Sequence, residues 1–235
     1  MDTDGQTFES RKLKGMRGVV ARKMTQSLQQ SAQLTYHAFA NGERLLNVRA
    51  ELKPQAPHVG IEDLVIWCLG QLITKHKAHN GIVEDDVVKI FPSLDLSVAI
   101  NTPNGLVTPI IRNASALTVE KIAELRRDLV ARAMDSALKV SDMTGGTFTL
   151  SNLGHSRVEL FTPILNLPQI ALLGLGCLSG TGGEKRIGLS LTVDHRVVDG
   201  ADSAAFLTDI AAAIETIDLT NGHLSVTSLT DHVGS

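Results

Sequence analysis

The sequence contains few aromatic side chains: Phe, Trp and Tyr together account for 3% of its 235 residues. Hydrophobic residues nevertheless make up 43% of the chain and charged residues 20%, close to the averages for globular proteins. This composition excludes wholesale disorder and a collagen-like chain. We therefore expect a sizeable core built mainly from Leu, Val, Ile and Ala.

Cysteine is also scarce, and the two that occur, Cys68 and Cys177, lie far apart in separate apolar runs. This spacing predicts free thiols in a reducing compartment rather than a disulfide framework. The start of the chain, residues 1–10, is polar and acidic, unlike a signal peptide or an Arg-rich transit peptide. Together these observations predict a cytoplasmic location.

The sequence has neither a surplus of positive charge nor a long apolar run. Its 22 basic and 25 acidic residues give a formal net charge of −3, which does not favour binding to a phosphate backbone. No apolar stretch reaches the roughly 18 residues that a membrane-spanning helix needs. We expect no nucleic-acid partner and no membrane partner.

Hydrophobic periodicity predicts helices and strands that are interspersed along the chain. The predicted helices are residues 15–31, 43–52, 61–76, 118–133 with Thr118 as N-cap, and a last helix capped by Asp202 or Ser203 and continuing through Ile214. The predicted strands are residues 34–40, 87–91, 94–101, 106–112, 147–151, 170–175 and 187–193.

No linker and no internal repeat divides these predicted elements. We therefore predict one α/β domain, an α+β sandwich in which helices flank a mixed central sheet. The domain is expected to cover residues 11–218. A flexible tail at residues 1–10 precedes it, and a polar C-terminal tail at residues 219–235 follows.

A first candidate site follows the apolar strand 187–193, where the sequence continues as Asp-His-Arg-Val-Val-Asp-Gly. Functional residues are often carried on loops that leave a rigid scaffold, and histidine is the side chain suited to proton exchange near neutral pH. Gly200 lets the backbone turn sharply before the next helix. One interpretation makes His195 a functional residue. In the other, His195 bonds a backbone carbonyl and Asp199 caps the helix, so the loop is purely structural.

A second candidate is the stretch 145–154, in which Ser151 and Asn152 end a predicted strand just before a glycine. A hydroxyl in this position could donate a hydrogen bond to a developing oxyanion. Ser-Asn-x-Gly is also ordinary turn chemistry, which the residues alone favour. His76 and His79 are three positions apart, but no Cys or carboxylate pattern completes a set of ligands, so we predict no metal site.

Residues 195–200 resemble the His-x-x-x-Asp-Gly motif of the chloramphenicol acetyltransferase-like superfamily. The flanking Asp194 and Asp202 make the segment similar to the acyltransferase (E2) catalytic domain of 2-oxoacid dehydrogenase complexes. Three further stretches resemble this family in the same order, namely residues 15–24, 101–112 and 145–154. The resemblance extends from about residue 10 to residue 218, and it implies a chloramphenicol acetyltransferase-like fold.

The resemblance implies transfer of an acyl group between a dihydrolipoyl thioester and coenzyme A, without a metal. It assigns His195 as the general base and Ser151 as the oxyanion donor. It implies that Asp199 holds the loop through an ion pair with an arginine, for which Arg17 is the first candidate and Arg22 the second. Gly200 and Asn152 are expected to support the site. Coenzyme A would be a substrate, and the lipoyl group would come from another domain or chain.

The resemblance also implies a homotrimer, in which His195 of one chain meets Ser151 of its neighbour. Expected partners are a lipoyl-carrying protein and other subunits of a dehydrogenase complex, since no lipoyl domain or subunit-binding domain is expected in this chain. The polar segment 221–235 lacks the leucine-rich terminus of many relatives, which favours a trimer over a larger shell. Two alternatives are a free-standing coenzyme A-dependent acyltransferase for another thiol, alcohol or amine, and a non-catalytic structural trimer.

Overall fold

The computed structural model describes residues 8–180 and 184–226. The α-helices within these residues are α1 (Gly15–Gln30), α2 (Glu43–Leu52), α3 (Ile61–Leu72), α4 (Val119–Met134) and α5 (Gly200–Thr216). The strands are β1 (Gln33–Asn41), β2 (Gly81–Glu84), β3 (Val87–Ile90), β4 (Leu96–Val98), β5 (Ile100–Thr102), β6 (Gly105–Val107), β7 (Ile110–Ile111), β8 (Phe148–Asn152), β9 (Ala171–Ser179), β10 (Arg186–Asp194), β11 (Asp218–Thr220) and β12 (His223–Ser225).

A six-stranded sheet with the strand order β1-β10-β9-β8-β4-β7 forms the centre of the fold. The pairs β1–β10, β9–β10 and β4–β7 are antiparallel, whereas β8 runs parallel to both β9 and β4. The prediction of a mixed sheet with flanking helices is confirmed. Because β9 and β10 are antiparallel while β8 and β9 are parallel, β8 and β10 end at opposite edges of the sheet.

One face of this sheet is apolar and supports the main core. Leu150, Leu173 and Leu191 lie side by side on β8, β9 and β10, and all three are fully buried. Helices α3 and α5 contribute apolar side chains such as Leu64 and Phe206 to the same cluster. The core is therefore aliphatic with few rings, as the composition predicts.

The opposite face of the sheet carries polar side chains. The hydroxyls of Thr35 and Thr192 are 2.8 Å apart, and His37 Nδ1 lies 2.9 Å from Ser190 Oγ. These residues pair across β1 and β10, and their apolar neighbours along the strands point to the other side. Alternation with a period of two thus gives the sheet one apolar and one hydrogen-bonded face.

Several predicted helix boundaries agree with the structure. Helix α2 has the predicted bounds, and α4 begins directly after Thr118, whose hydroxyl accepts a hydrogen bond from the Lys121 amide at 3.3 Å. Helix α3 ends at Leu72, four residues earlier than predicted, and a short 3-10 turn at Lys77–His79 follows. The predicted cap of the last helix is wrong, because α5 begins at Gly200 and its N-cap is Asp199.

Each of the seven predicted strands has a counterpart in the structure, but two of them were predicted as too continuous. The predicted strand 94–101 is divided into β4 and β5, and the predicted strand 106–112 is divided into β6 and β7 around Thr108 and Pro109. The hairpin of β2 and β3 was missed in part, because β2 was not predicted. Proline lacks an amide hydrogen, so the break at Pro109 has a direct cause.

The folded part of the chain extends into the segment predicted to be the C-terminal tail. Strands β11 and β12 pair with each other, and the half-buried Leu219, Leu224 and Val226 pack against the core. Cys68 is buried and Cys177 half-buried, and both are free thiols as predicted. Among the helices of the described residues, none is long and apolar enough to cross a membrane.

Candidate functional site

The turn that carries His195 is held by the last residue of β10. The Asp194 carboxylate accepts hydrogen bonds from the Ala32 amide at 3.2 Å and from the Arg196 amide at 3.1 Å, and it binds Arg196 Nη2 at 2.6 Å. Burial alone would raise the pKa of Asp194, but the hydrogen bonds from Arg196 and Ala32 outweigh it and hold this pKa below its ordinary value. Asp194 therefore remains charged and fixes the start of the turn.

The His195 side chain is exposed at this turn, while its amide donates to the Ala32 carbonyl at 2.9 Å. Within residues 8–180 and 184–226 the imidazole makes no hydrogen bond, and Asp199 forms no side-chain cap on α5. The backbone-carbonyl bond of the purely structural interpretation is thus absent from the part of the chain described, whereas Asp199 does occupy the N-cap position of α5, without a side-chain bond. The imidazole is free to meet another group.

Gly200 gives this imidazole its space. A Cβ at Gly200 would lie 3.9 Å from His195 Nε2 and 3.2 Å from Tyr36 Oη. A contact of 3.2 Å is tighter than nine in ten real Cβ contacts, so a side chain at this position would require the Tyr36 hydroxyl to shift by a few tenths of an ångström. The predicted supporting role of Gly200 therefore has a steric reason.

Ser151 and Asn152 form the end of β8. The Asn152 side chain accepts from the Gly154 amide at 2.7 Å and donates from Nδ2 to Glu62 Oε2 at 3.1 Å. The half-buried Ser151 hydroxyl has no hydrogen-bond partner among the residues described. Asn152 thus fixes the turn, and the Ser151 hydroxyl remains available.

Glu62 belongs to an ion-pair network that sequence reasoning missed. Arg126 Nε lies 2.5 Å from Asp63 Oδ1, and Arg126 Nη1 lies 3.5 Å from Glu62 Oε2. Desolvation raises the pKa of Glu62, and Arg126 and Asn152 only partly oppose it. The sequence offers a signal for Asp63, three residues after a glycine at a helix start, but none for its pairing with Arg126.

His195 and Ser151 are not brought together within one chain. Ser151 pairs with Gly174 on β9, and Gly174 pairs with Ser190 on β10, so Ser151 and Ser190 lie in one row across the sheet. His195 lies five residues beyond Ser190, about 16 Å along the strand, and β8 and β10 are about 10 Å apart. A single chain therefore presents two separate half-sites.

The predicted ion pair of Asp199 with Arg17, or with Arg22, does not form between described residues of the single chain. Arg17 instead lines a cleft with the hairpin of β5 and β6. The physical reason is the direction of α1, whose last turn leads to Ala32 beside the His195 turn. Arg17 lies near the start of the helix, about 20 Å from that end.

His76 and His79 have a structural environment. His76 Nε2 lies 2.7 Å from Asp209 Oδ2, and the rings of both histidines pack against Phe206. In the part of the chain that the structure describes, no three His, Cys, Asp or Glu side chains are grouped as metal ligands.

Comparison with known proteins now identifies the family. The sequence profile of the family "2-oxoacid dehydrogenases acyltransferase (catalytic domain)" matches residues 5–221. The chain belongs to this family. The members of this family are therefore the proteins with which the two half-sites are compared.

Two curated relatives of this acyltransferase domain show how much of a longer protein it corresponds to. The dihydrolipoyllysine-residue acetyltransferase component of the mitochondrial pyruvate dehydrogenase complex of Schizosaccharomyces pombe is 33% identical over 222 residues, covering 88% of this chain and 46% of the relative. The corresponding component of the acetoin cleaving system of Bacillus subtilis is 34% identical over 214 residues, covering 86% and 54%. The chain thus spans about half the length of these relatives.

Solved structures agree with the fold of this acyltransferase domain. A dihydrolipoamide acetyltransferase (E2p) structure from Azotobacter vinelandii covers 91% of this chain and 93% of its own, with a TM-score of 0.86 at 24% identity. A chloramphenicol acetyltransferase covers 81% and 92%, with a TM-score of 0.56 at 15% identity. The predicted chloramphenicol acetyltransferase-like fold is confirmed.

Proposed function

We propose that this acyltransferase domain moves an acyl group between a dihydrolipoyl thioester and coenzyme A, at a site shared by two copies of the chain in a homotrimer. The observation that carries the proposal is the separation of His195 from Ser151 at opposite edges of one sheet. Both side chains lack a hydrogen-bond partner among the described residues of their own chain. A second copy would supply the missing half of each site.

In the proposed reaction His195 transfers a proton and Ser151 donates a hydrogen bond. His195 takes the proton of the attacking thiol as its sulfur bonds to the thioester carbonyl carbon, a step in which a positioned base contributes roughly 10²–10⁴-fold. The Ser151 hydroxyl donates to the oxygen of the tetrahedral intermediate, and one such donor contributes about 10²–10³-fold. The leaving sulfur then recovers the proton from His195. The reaction needs no metal, because the thiolate is itself the nucleophile.

The family match and the relatives support this substrate class, since the relatives are named for acetyl transfer to a dihydrolipoyllysine residue. In our proposal the lipoyl group comes from another domain or chain, and other subunits of a dehydrogenase complex are the partners. The proposal also places the protein in the cytoplasm. The relatives include both a mitochondrial and a bacterial component, so localisation by microscopy is the direct check.

Complementation between two inactive variants tests the shared site. His195→Ala and Ser151→Ala chains carrying different tags are each expected to be inactive alone. When the two are refolded together and doubly purified, every trimer contains both variants, and one of its three sites combines an intact His195 with an intact Ser151. Recovered acetyl transfer to dihydrolipoamide supports the proposal. Two differently tagged His195→Ala chains are the matched control, and they should recover none.

The acyl acceptor needs a separate measurement. Acetyl-, propionyl- and branched acyl-coenzyme A are each incubated with dihydrolipoamide and the assembled protein. Failure to acylate dihydrolipoamide by a folded trimer contradicts the proposed substrate. Acylation of another small thiol, alcohol or amine would then favour the free-standing acyltransferase.

A further inference from the structure

Tyr36 is the single tyrosine of the chain, and its hydroxyl has no partner in the described structure. The residue lies in β1 opposite Leu191 of β10, and its ring packs against the core. The Oη atom is buried and accepts or donates no hydrogen bond within the residues described. Buried polar groups are nearly always hydrogen-bonded, so an orphaned hydroxyl indicates that a partner is missing.

The Tyr36 hydroxyl faces the same small space as the candidate base. Both Tyr36 Oη and His195 Nε2 lie within 4 Å of the position that a Cβ would take at Gly200. Because glycine has no Cβ, no side chain of residue 200 separates the two atoms. A substrate group that is hydrogen-bonded to His195 Nε2 would therefore also lie near the Tyr36 hydroxyl.

The first turn of α5 adds an electrostatic potential that favours a negative charge near Gly200. The 17-residue helix begins at Gly200, and its N-cap Asp199 provides no side-chain hydrogen bond. The positive end of the helix dipole and the free amides of the first turn favour a negative charge nearby. Asp202 lies in the same turn, so the helix end alone does not identify a ligand. The orphaned hydroxyl is the independent observation.

We propose that Tyr36 Oη donates a hydrogen bond to the reacting sulfur at His195, and that it is a catalytic residue of this domain. The proposal rests on the proposed acyl transfer. The attacking thiol gives its proton to His195 Nε2, its sulfur bonds to the carbonyl carbon, and the old carbon–sulfur bond breaks. The departing sulfur takes the proton back from His195. Tyr36 keeps its own proton throughout and stabilises the negative sulfur in both halves of the reaction.

A substitution that removes only the hydroxyl tests this role. In Tyr36→Phe the ring and its packing remain, and we expect the turnover number for acetyl transfer to fall by about 10-fold or more. Ser203→Ala is the matched control, because Ser203 Oγ is another buried hydroxyl without a partner among the described residues, placed one turn along α5. Its activity should stay within about twofold of the wild type.

Thermal unfolding of both variants separates catalysis from folding. Because neither hydroxyl is bonded in the described structure, both variants should unfold close to the wild-type temperature. A Tyr36→Phe enzyme that keeps wild-type turnover overturns the proposal while leaving acyl transfer itself intact. A slow variant that is also strongly destabilised would assign the hydroxyl a structural role, which equally overturns it.

Fluorine NMR provides a readout that does not depend on turnover. Since the chain has one tyrosine, meta-fluorotyrosine labelling gives the resonance of Tyr36 alone. Coenzyme A and dihydrolipoamide, added separately, should each shift it, and Ser203→Ala should preserve the shift. If the wild type fails to acylate dihydrolipoamide, that result contradicts the proposed function and not the Tyr36 contact by itself. A resonance unmoved by coenzyme A, dihydrolipoamide and cysteamine would then overturn the Tyr36 contact as well.

Discussion

Asn152 and Glu62 are joined by a hydrogen bond of 3.1 Å across 90 residues of chain, and this bond ties the end of β8 to the start of α3. Glu62→Ala removes the acceptor of Asn152 Nδ2 and leaves Arg126 with Asp63 alone. We expect the loosened turn to lower the rate of acyl transfer about 10-fold and the stability by about 1–3 kcal/mol. Steady-state kinetics and urea unfolding measure the two effects.

Two further variants show whether the hydrogen bond or the charge of Glu62 matters. Glu62→Gln keeps an acceptor for Asn152 and should retain most of the activity. Glu124→Ala removes an exposed carboxylate whose ion-pair partner among the described residues is Lys121 on the surface of α4, and it should change neither quantity. Equal losses in all three variants would show that the Asn152–Glu62 bond does not position Ser151.

His79 makes the fold sensitive to mild acid. Burial lowers the pKa of His79 to about 4 from an ordinary value of 6.5. Between these values the unfolded chain binds a proton that the folded chain does not, so stability present above pH 6.5 is lost as the pH falls. By pH 5 the loss should reach about 2 kcal/mol. Urea unfolding at a series of pH values measures it.

The matched variants for this pH dependence are His79→Phe and His223→Gln. The Phe side chain can still pack against Phe206 but cannot be protonated, so the slope between pH 6.5 and 4 should flatten. His223 is exposed in β12, and its replacement should leave the slope unchanged. An unaltered slope in His79→Phe would refute the assignment to His79.

The two thiols should differ in reactivity towards alkylating reagents. Cys68 is fully buried, and desolvation raises the pKa of its thiol to about 12, so little thiolate exists at neutral pH. Cys177 is half-buried in β9. Mass spectrometry of the iodoacetamide-treated native protein should find the label on Cys177 only. Cys177→Ser should stay unlabelled until it is unfolded, and labelling of native Cys68 would contradict the buried environment.

Gly176 is expected to tolerate no side chain. A Cβ there would overlap the backbone oxygen of Glu159, which crosses the sheet at this point. Gly176→Ala should therefore cost about 1–3 kcal/mol by displacing that segment. In Gly222→Ala the new Cβ meets no atom of the described residues within 4 Å, and the φ of 80° opposes it at about 1 kcal/mol. Similar losses in the two variants would show that overlap with Glu159 is unimportant.

The elements with a strong local signal could be predicted from the sequence. Helix α4 has both an apolar stripe and a hydroxyl cap at Thr118, so its start was found to the residue. The turn between β2 and β3 had no such signal. Asp85 and Asp86 adopt positive φ angles of 49° and 61°. An Asn-Gly or Asp-Gly pair would have predicted such a turn, but neither pair occurs at these positions. Strand β2 was therefore missed.

The candidate site was predictable only where its residues stand in contiguous motifs. His195, Ser151 and Asn152 belong to such motifs, whereas Glu62 and Tyr36 reach them from distant parts of the chain. Pairings of this kind depend on strand order and helix direction, which local periodicity does not encode. The direction of α1 also explains why Arg17 does not reach Asp199 in the single chain.

Because β8 and β10 run in opposite directions, the proposed activity should depend on the concentration of the protein. No loop movement can bring Ser151 to His195 in one chain, because the sheet between them would have to be rebuilt. If the proposed site is shared between copies, dilution that separates them would abolish the rate even in chains that stay folded. Specific activity would then rise with protein concentration before levelling off, and any variant that weakens association would behave as a dose-dependent loss of function.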